Sequence, residues 1–355
     1  FYMKPTALGQ YLFYDTDKTM LSASSSGLTT VTAADATAIW TLDTPATGQY
    51  TALSNNANAS LAVGSGNALT VATSPGTFAF VPAIGCTVYP EMPTGVAGAS
   101  YVGNGVDKPV IGFADVHTHM AMAQELSDGS GNVGGSAAEL LYGQMFNRFG
   151  VVEALKNCEA YHGPQGRTSP GNVFLDSNPL ESHDTVGWPT FVDWPARNSL
   201  LHQQMYYKWV ERAWKAGLRL MVVHGTNIQA LCTVGAAAGM RPSSDCNDMS
   251  IGLKQLAYLK QMPDYIDAQE GGPGKGWFRI VSSPTEARQV INEGKLAVVP
   301  GLEFANLFDC SVSFLPGGGE MDGCTKADID AGIENVYKLG VRQIFTFHDV
   351  DSALG

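Results

Sequence analysis

The sequence predicts an α/β protein in which helices and parallel strands alternate, preceded by a small all-β module. Two observations lead to this fold class. After residue 200, a helical pattern ending at glycine and then an apolar strand occurs three times, which is typical of β/α units around a parallel sheet. Before residue 95, the chain holds short runs rich in Thr, Val, Tyr and Phe, separated by turn-forming residues, as in all-β modules. We therefore expect an all-β domain at 1–95 and a β/α domain at 110–355, with a long loop insertion at about 121–198.

The all-β module is defined by six short runs. They lie at 10–15, 37–42, 49–54, 60–64, 68–73 and 77–82. Segments 9–23 and 48–63 both begin Gly-Gln-Tyr and continue as a strand, a polar turn and a second strand. This echo resembles the hairpin units of ricin-type β-trefoil lectins, and a small β-sandwich fits nearly as well. A carbohydrate would be the partner of such a module, and a structural appendage is the alternative reading.

The β/α domain begins with the apolar run 111–116. Helices are expected at 200–217, 284–294 and 326–340, because apolar residues recur at helical spacing and a glycine follows. Buried strands are expected directly after them, at 218–223, 295–304 and 341–348.

Charge and hydropathy exclude two classes of partner. The chain of 355 residues carries 21 Lys and Arg against 33 Asp and Glu, a formal net charge of −12. It has no basic tract, which excludes a nucleic-acid partner. No stretch approaches the roughly 20 apolar residues of a spanning helix, so no membrane span is predicted.

The six cysteines indicate an oxidising compartment. Cys232 and Cys246 are 14 residues apart, as are Cys310 and Cys324, and both intervening segments read as loops. We predict disulfides Cys232–Cys246 and Cys310–Cys324, with Cys86–Cys158 joining the all-β module to the second domain. Disulfides persist in secreted and periplasmic proteins, so the protein is predicted to be secreted or periplasmic; six buried thiols in a cytosolic enzyme are the alternative.

Histidines follow the predicted parallel strands. His117, His224 and His348 lie at the carboxyl ends of three of them, the end at which β/α barrels carry catalytic groups. His119 is two residues from His117, so both side chains should point the same way and could bind a metal such as zinc. Glu303 also ends a strand, where a cation would compensate its burial. Ordinary polar strand ends and a salt-bridged Glu are the alternatives.

These motifs resemble the metal-dependent amidohydrolase superfamily and, within it, the membrane (renal) dipeptidase family, peptidase family M19. GFADVHTHM, EGKLAVVPGLEFAN and LGVRQIFTFHDVDSALG carry the resemblance, which covers roughly 110–120 and 278–355. It implies that His117 and His119 bind one metal, that Glu303 bridges two zinc ions, and that His348 contacts the substrate or the transition state. The chain has HTH where the family has HxD, FAN rather than GGH after the glutamate, and a longer loop before the second strand.

The resemblance also implies a fold and a partner. The fold would be a (β/α)8 TIM-type barrel, of which this chain supplies about the first four strands. The remaining C-terminal half of the barrel, on a separate chain or a further segment, would be the partner that supplies the later ligands.

The predicted function is that of an enzyme: a metal-dependent hydrolase that cleaves an amide, dipeptide-like bond with a metal-activated hydroxide. Its substrate would be a small molecule or a peptide. His224 either lines the substrate pocket or is a hydrogen-bonded strand-end residue. Asp349 and Asp351 either recognise a substrate amine, orient His348 or face water at the rim, and Asp349 is predicted as a substrate contact. Two other functions stay open: a secreted carbohydrate- or surface-binding protein on a catalytically decayed barrel, and an amidohydrolase-type lactonase or phosphoesterase.

Overall fold

Two large β-sheets organise the chain, one antiparallel and one parallel. The computed structural model describes residues 1–24, 26–98, 100–123, 141–169, 171–174, 182–192, 194–196, 200–237, 246–314, 316–346, 348 and 352–354. The chain divides into two units. The first comprises 1–91, 147–153 and 264–276, and the second comprises 92–146, 154–263 and 277–355.

The first unit is built on the antiparallel sheet. Its strands are β1 (Tyr2–Ala7), β2 (Gln10–Tyr14), β3 (Met20–Ser24), β4 (Gly27–Val31), β5 (Trp40–Ala46), β6 (Gln49–Ser54), β7 (Ser60–Val63) and β8 (Leu69–Ala72). Seven of them follow the order β4-β3-β2-β5-β6-β7-β8, and β1 pairs with β2. The terminal strands of this path, β4 and β8, approach each other, so the sheet is nearly closed, like a barrel.

A tryptophan centres the core of this sheet. Trp40 is fully buried and packs with Phe13, Leu21 and Leu61. Its indole N–H donates a hydrogen bond to the Leu21 carbonyl at 3.0 Å. The one polar atom of this large apolar side chain is therefore satisfied, which lets the ring stay inside.

The second unit is built on the parallel sheet. Its strands are β9 (Phe113–Thr118), β10 (Leu218–Thr226), β11 (Phe278–Ile280), β12 (Leu296–Glu303) and β15 (Gln343–Phe345). Strands β9, β10 and β12 lie side by side in sequence order. The other edge of β12 pairs with β11 over its first half and with β15 over its second half. A separate hairpin joins β13 (Val312–Phe314) to β14 (Glu320–Asp322).

Helices connect the strands of the parallel sheet, and three of them begin with a side-chain cap. The helices are α1 (Val151–Ala154), α2 (Glu159–His162), α3 (Gly171–Phe174), α4 (Tyr207–Lys215), α5 (Gln229–Ala237), α6 (Asp248–Leu259), α7 (Met262–Gln269), α8 (Pro284–Asn292) and α9 (Lys326–Lys338). Helix α8 begins after Ser283, whose side chain accepts a hydrogen bond from the Glu286 amide. Helix α9 begins with a capping box between Thr325 and Asp328. Such caps satisfy the first free amides of a helix.

The prediction of a TIM-type barrel preceded by a small all-β module is wrong. The described strands form a nearly closed antiparallel sheet and a five-stranded parallel half-barrel. Helix–strand alternation predicts that strands run parallel, but it carries no information on closure. Strand β9 lies at an edge of the described parallel sheet, with five of its six residues exposed. The sheet also contains β11, a three-residue strand that the sequence analysis did not predict. The predicted domain limits 1–95 and 110–355, and the choice between trefoil and sandwich, stay predictions.

The helix expected at 200–217 is shorter than predicted. It begins at Tyr207, because the residues before it are held elsewhere. His202 forms a parallel bridge with Tyr142, and the Gln203 amide donates to the Tyr142 carbonyl at 2.7 Å. Parts of the insertion predicted at 121–198 lie outside the described residues.

Two of the three predicted disulfides are confirmed. Cys232–Cys246 and Cys310–Cys324 are bonded, with Cα separations of 5.5 and 4.8 Å. The predicted Cys86–Cys158 bond is wrong, since both residues are free thiols. Cys86 is exposed, whereas the Cys158 sulfur is buried and faces imidazole rings rather than another thiol.

Candidate metal centre

The parallel sheet brings a buried carboxylate and several imidazoles to one edge. Glu303 is the last residue of β12, His224 lies near the end of β10, and His117 lies near the end of β9. Parallel strands end at the same edge of a sheet, so these side chains meet there. In the paired register, Thr226 lies opposite Glu303.

Three donor atoms form a small triangle at this edge. The Oε2 atom of Glu303 lies 2.8 Å from His117 Nε2 and 3.2 Å from His119 Nε2. The two imidazole nitrogens are 3.1 Å apart. A point about 2.1 Å from all three atoms lies just above the plane of this triangle, and that distance matches zinc–nitrogen and zinc–oxygen bonds. The three residues are therefore a group that could hold a metal ion.

The carboxylate is short of hydrogen bonds despite these close approaches. Glu303 is only 3% exposed, and its Oε2 makes no well-formed hydrogen bond with a described residue. His117 Nε2 and Glu303 Oε2 are 2.8 Å apart, but their orientation is not that of a hydrogen bond. A buried anion in this position is costly unless a cation compensates it, so the geometry fits a metal better than a hydrogen-bond network.

A bulge near the end of β9 includes His117, and His119 follows the strand directly after Thr118. Between Met221 and Val223 the neighbouring strand β10 advances two residues, while β9 advances three, from Asp115 to Thr118. Such an extra residue re-aims the adjacent side chains. The Thr118 hydroxyl then donates to the Val222 carbonyl at 2.7 Å, which fixes the end of β9 against β10.

A glycine makes room for His224. The His224 ring is fully buried, with its centroid 4.7 Å from that of His117 and 5.9 Å from that of His119. A Cβ atom on Gly301, opposite His224 on β12, would lie 2.6 Å from the ring. Neither nitrogen of His224 forms a well-defined hydrogen bond with a described residue. His224 therefore packs directly beside His117 and His119 and supports their rings.

Burial keeps the inner imidazoles neutral. It lowers the pKa of His119 to about 4, an effect that the Glu303 carboxylate opposes and the neighbouring histidines reinforce. The pKa of His224 falls to about 4, because burial lowers it and the nearby His117 lowers it further, whereas an interaction with the Thr118 backbone raises it. At neutral pH both rings are uncharged, and the uncharged ring is the form that donates a lone pair to a metal.

The site is open to solvent on one side. His117, His119 and His348 have side chains 39%, 29% and 35% exposed, whereas Glu303 lies beneath them. His348 Nε2 lies 3.2 Å from Glu303 Oε1, on the other oxygen of the carboxylate. The Phe345 ring packs edge-on against His117, with centroids 4.8 Å apart. A substrate could therefore reach the imidazoles without displacing the carboxylate.

The structure thus assembles His117, His119, His224, Glu303 and His348 in one place. Asp349, predicted as a substrate contact, and Asp351 both lie outside the described residues. A second group of side chains escaped the sequence analysis: Cys158, His162, His183 and His202 also lie close enough together to hold a metal ion. The only sequence signal for it was the spacing of Cys158 and His162, four residues apart.

Comparison with known proteins adds no assignment. No protein-family model matches the chain, and no curated protein matches it significantly. Among the described residues, no helix is both long and apolar enough to cross a bilayer.

Proposed function

We propose that the protein is a metal-dependent hydrolase of amide, dipeptide-like bonds, related in chemistry to the amidohydrolases that residues 110–120 and 278–355 resemble. The observation that carries the proposal is the triangle of donor atoms from His117, His119 and Glu303, with sides of 2.8–3.2 Å. Neutral imidazole and carboxylate together suit zinc.

His117, His119 and Glu303 would hold one divalent ion, most simply zinc. A bound zinc would polarise the carbonyl of the substrate and would lower the pKa of a water molecule towards 7. A second ion bridged by Glu303, which the family resemblance implies, would need donors beyond these three.

The remaining residues orient and shield the reaction. His348 is held near Glu303 Oε1 while part of its ring faces solvent, so it can donate a hydrogen bond to the oxygen of a substrate carbonyl as negative charge develops there. His224 and Phe345 pack against His117 and hold its ring in place. This support matters because a ligand must be held within about 0.5 Å of its working position.

We also propose a secreted or periplasmic location. Two disulfides close loops in the second unit, and structural disulfides are rare in reducing compartments.

The test is a hydrolysis assay on the full chain after chelation and after reloading with zinc. The substrates are a dipeptide panel, a lactone panel and a phosphoester panel. The proposal predicts dipeptide hydrolysis that chelation abolishes, that zinc restores, and that the His117→Asn variant lacks. Hydrolysis of lactones or phosphoesters without hydrolysis of dipeptides would show that the protein is a lactonase or phosphoesterase and not a dipeptidase. Zinc-loaded protein that hydrolyses none of the three would contradict an enzymatic role.

A further inference from the structure

A second cluster of metal-ligating side chains lies outside the candidate metal centre. Cys158 directly precedes α2 and His162 ends it. His183 and His202 lie between α3 and α4 in the sequence, and neither belongs to a described helix or strand. One donor atom from each residue lies within 4.8 Å of the other three, although 44 residues separate Cys158 from His202.

Three of the six separations between the donor atoms are close to the edges of a tetrahedron around zinc. Cys158 Sγ lies 3.3 Å from His202 Nε2 and 3.6 Å from His183 Nε2, and His162 Nδ1 lies 3.1 Å from His183 Nε2. Zinc–sulfur bonds of about 2.3 Å and zinc–nitrogen bonds of about 2.05 Å at tetrahedral angles place sulfur and nitrogen about 3.5 Å apart and two nitrogens about 3.3 Å apart. The observed separations are close to these values before any ion is added.

The surroundings are built to hold these rings. The Trp194 ring stacks on His202, with centroids 4.1 Å apart and planes 21° apart. A Cβ atom on Gly166 would lie 2.3 Å from the His183 ring, so only glycine leaves the space that this ring occupies. Cys158, His162 and His202 are buried. His183 is half-buried, so the site is more enclosed than the solvent-open centre at Glu303.

We propose that Cys158, His162, His183 and His202 bind one zinc-type divalent cation in a four-coordinate structural site. On binding, the S–H bond of Cys158 breaks, its proton passes to solvent, and the thiolate bonds to the ion. The three imidazoles bind as neutral rings, His162 through Nδ1 and the other two through Nε2. Four protein ligands leave no open position for substrate, which is typical of structural rather than catalytic zinc.

The site's position suggests what the ion stabilises. It would join α2 to the chain at His183 and to the chain before α4. Gln203, next to His202, donates from Nε2 to the Met120 carbonyl at 3.1 Å, and Met120 follows His119. The ion would thereby support the segment that carries His119. The inference does not depend on the proposed hydrolase activity.

Cobalt substitution tests the site in the unmodified full chain. A Cys158 thiolate bound to Co²⁺ gives a sulfur-to-metal charge-transfer band in the near ultraviolet, which a His–His–Glu site lacks. We expect this band in the wild type and in the Glu303→Gln variant. Folded wild type that binds Co²⁺ without the band, or that binds no Co²⁺, would overturn the proposal.

Two cysteine variants supply the matched comparison. Cys158→Ser should lose the band and one bound metal ion per chain, whereas Cys86→Ser, which alters the exposed free thiol, should keep both. Loss of the band in Cys86→Ser would overturn the assignment. If Cys158→Ser does not fold, X-ray absorption at the zinc edge of the wild type replaces it: a sulfur neighbour at about 2.3 Å supports the site, and its absence overturns it.

Discussion

Replacing Glu303 with glutamine tests how the candidate centre holds its ion. Glu303→Gln keeps nearly the same side-chain shape and removes the one anionic donor among the three atoms of the triangle. The change should therefore weaken zinc binding while leaving the sheet edge intact.

The size of the effect follows from ligand energetics. Loss of an outer-shell partner typically weakens metal binding 10–100-fold, so loss of a direct anionic ligand should weaken it at least about 100-fold. At a free zinc concentration 100 times the wild-type dissociation constant, zinc at this centre should stabilise the wild type by about 2.7 kcal/mol. For the variant, the same zinc concentration would only equal its dissociation constant. Zinc would then stabilise the variant by about 0.4 kcal/mol.

The assay is denaturant unfolding with and without zinc. Zinc at the Cys158 cluster would contribute equally to both proteins, so the difference between their gains isolates Glu303. Glu211→Gln is the matched control, because Glu211 is also buried but pairs with Lys208 and Lys215 instead. It should lose stability yet keep the full zinc-dependent gain. An equal zinc-dependent gain in Glu303→Gln and the wild type would refute the assignment of Glu303 as a ligand.

Three further predictions concern other parts of the molecule. Gly301→Ala should displace the His224 ring, because the new Cβ would lie 2.6 Å from it. The displacement should weaken zinc binding at least about tenfold. An unchanged zinc titration would show that His224 does not support the metal centre. Burial lowers the pKa of Lys4 from its ordinary 10.5 to about 8. Between pH 8 and pH 10.5, Lys4 is therefore protonated only in the unfolded chain. The free energy of unfolding should rise by up to roughly 3 kcal/mol as the pH rises across this range. Urea unfolding of the wild type and of Lys4→Met at several pH values measures this difference, and parallel pH curves would show that the lysine does not cause it. Replacing Cys310 and Cys324 together with serine should cost about 3 kcal/mol, as expected for a loop of about 15 residues; a double variant with wild-type unfolding free energy in calorimetry would argue against a stabilising bond.

Much of the parallel sheet could be predicted from local sequence. The run before Glu303 and the run containing His224 are apolar enough to indicate buried strands, and β12 and β10 are buried along nearly their whole length. Once the strands are predicted to be parallel, the strand-end rule places His117 and Glu303 at the same edge of the sheet. Cysteine spacing identified two disulfides because each closes a local loop.

The missed features depend on contacts between distant residues. Sheet closure depends on which edges meet, and β11 is only three residues long. The predicted bond between Cys86 and Cys158 is wrong because the fold surrounds Cys158 with histidines 25 and 44 residues away. The helix expected from residue 200 begins at Tyr207 because the buried His202 belongs to that cluster. No local pattern carries these tertiary constraints.

The central claim is that His117, His119 and Glu303 hold a divalent metal at the edge of the parallel sheet. An anomalous difference map, recorded at the zinc absorption edge from crystals of the zinc-loaded full chain, tests it most directly. The claim predicts a peak about 2.0–2.2 Å from His117 Nε2, His119 Nε2 and Glu303 Oε2. A map with no peak among these three atoms, from protein shown to contain zinc, would contradict it.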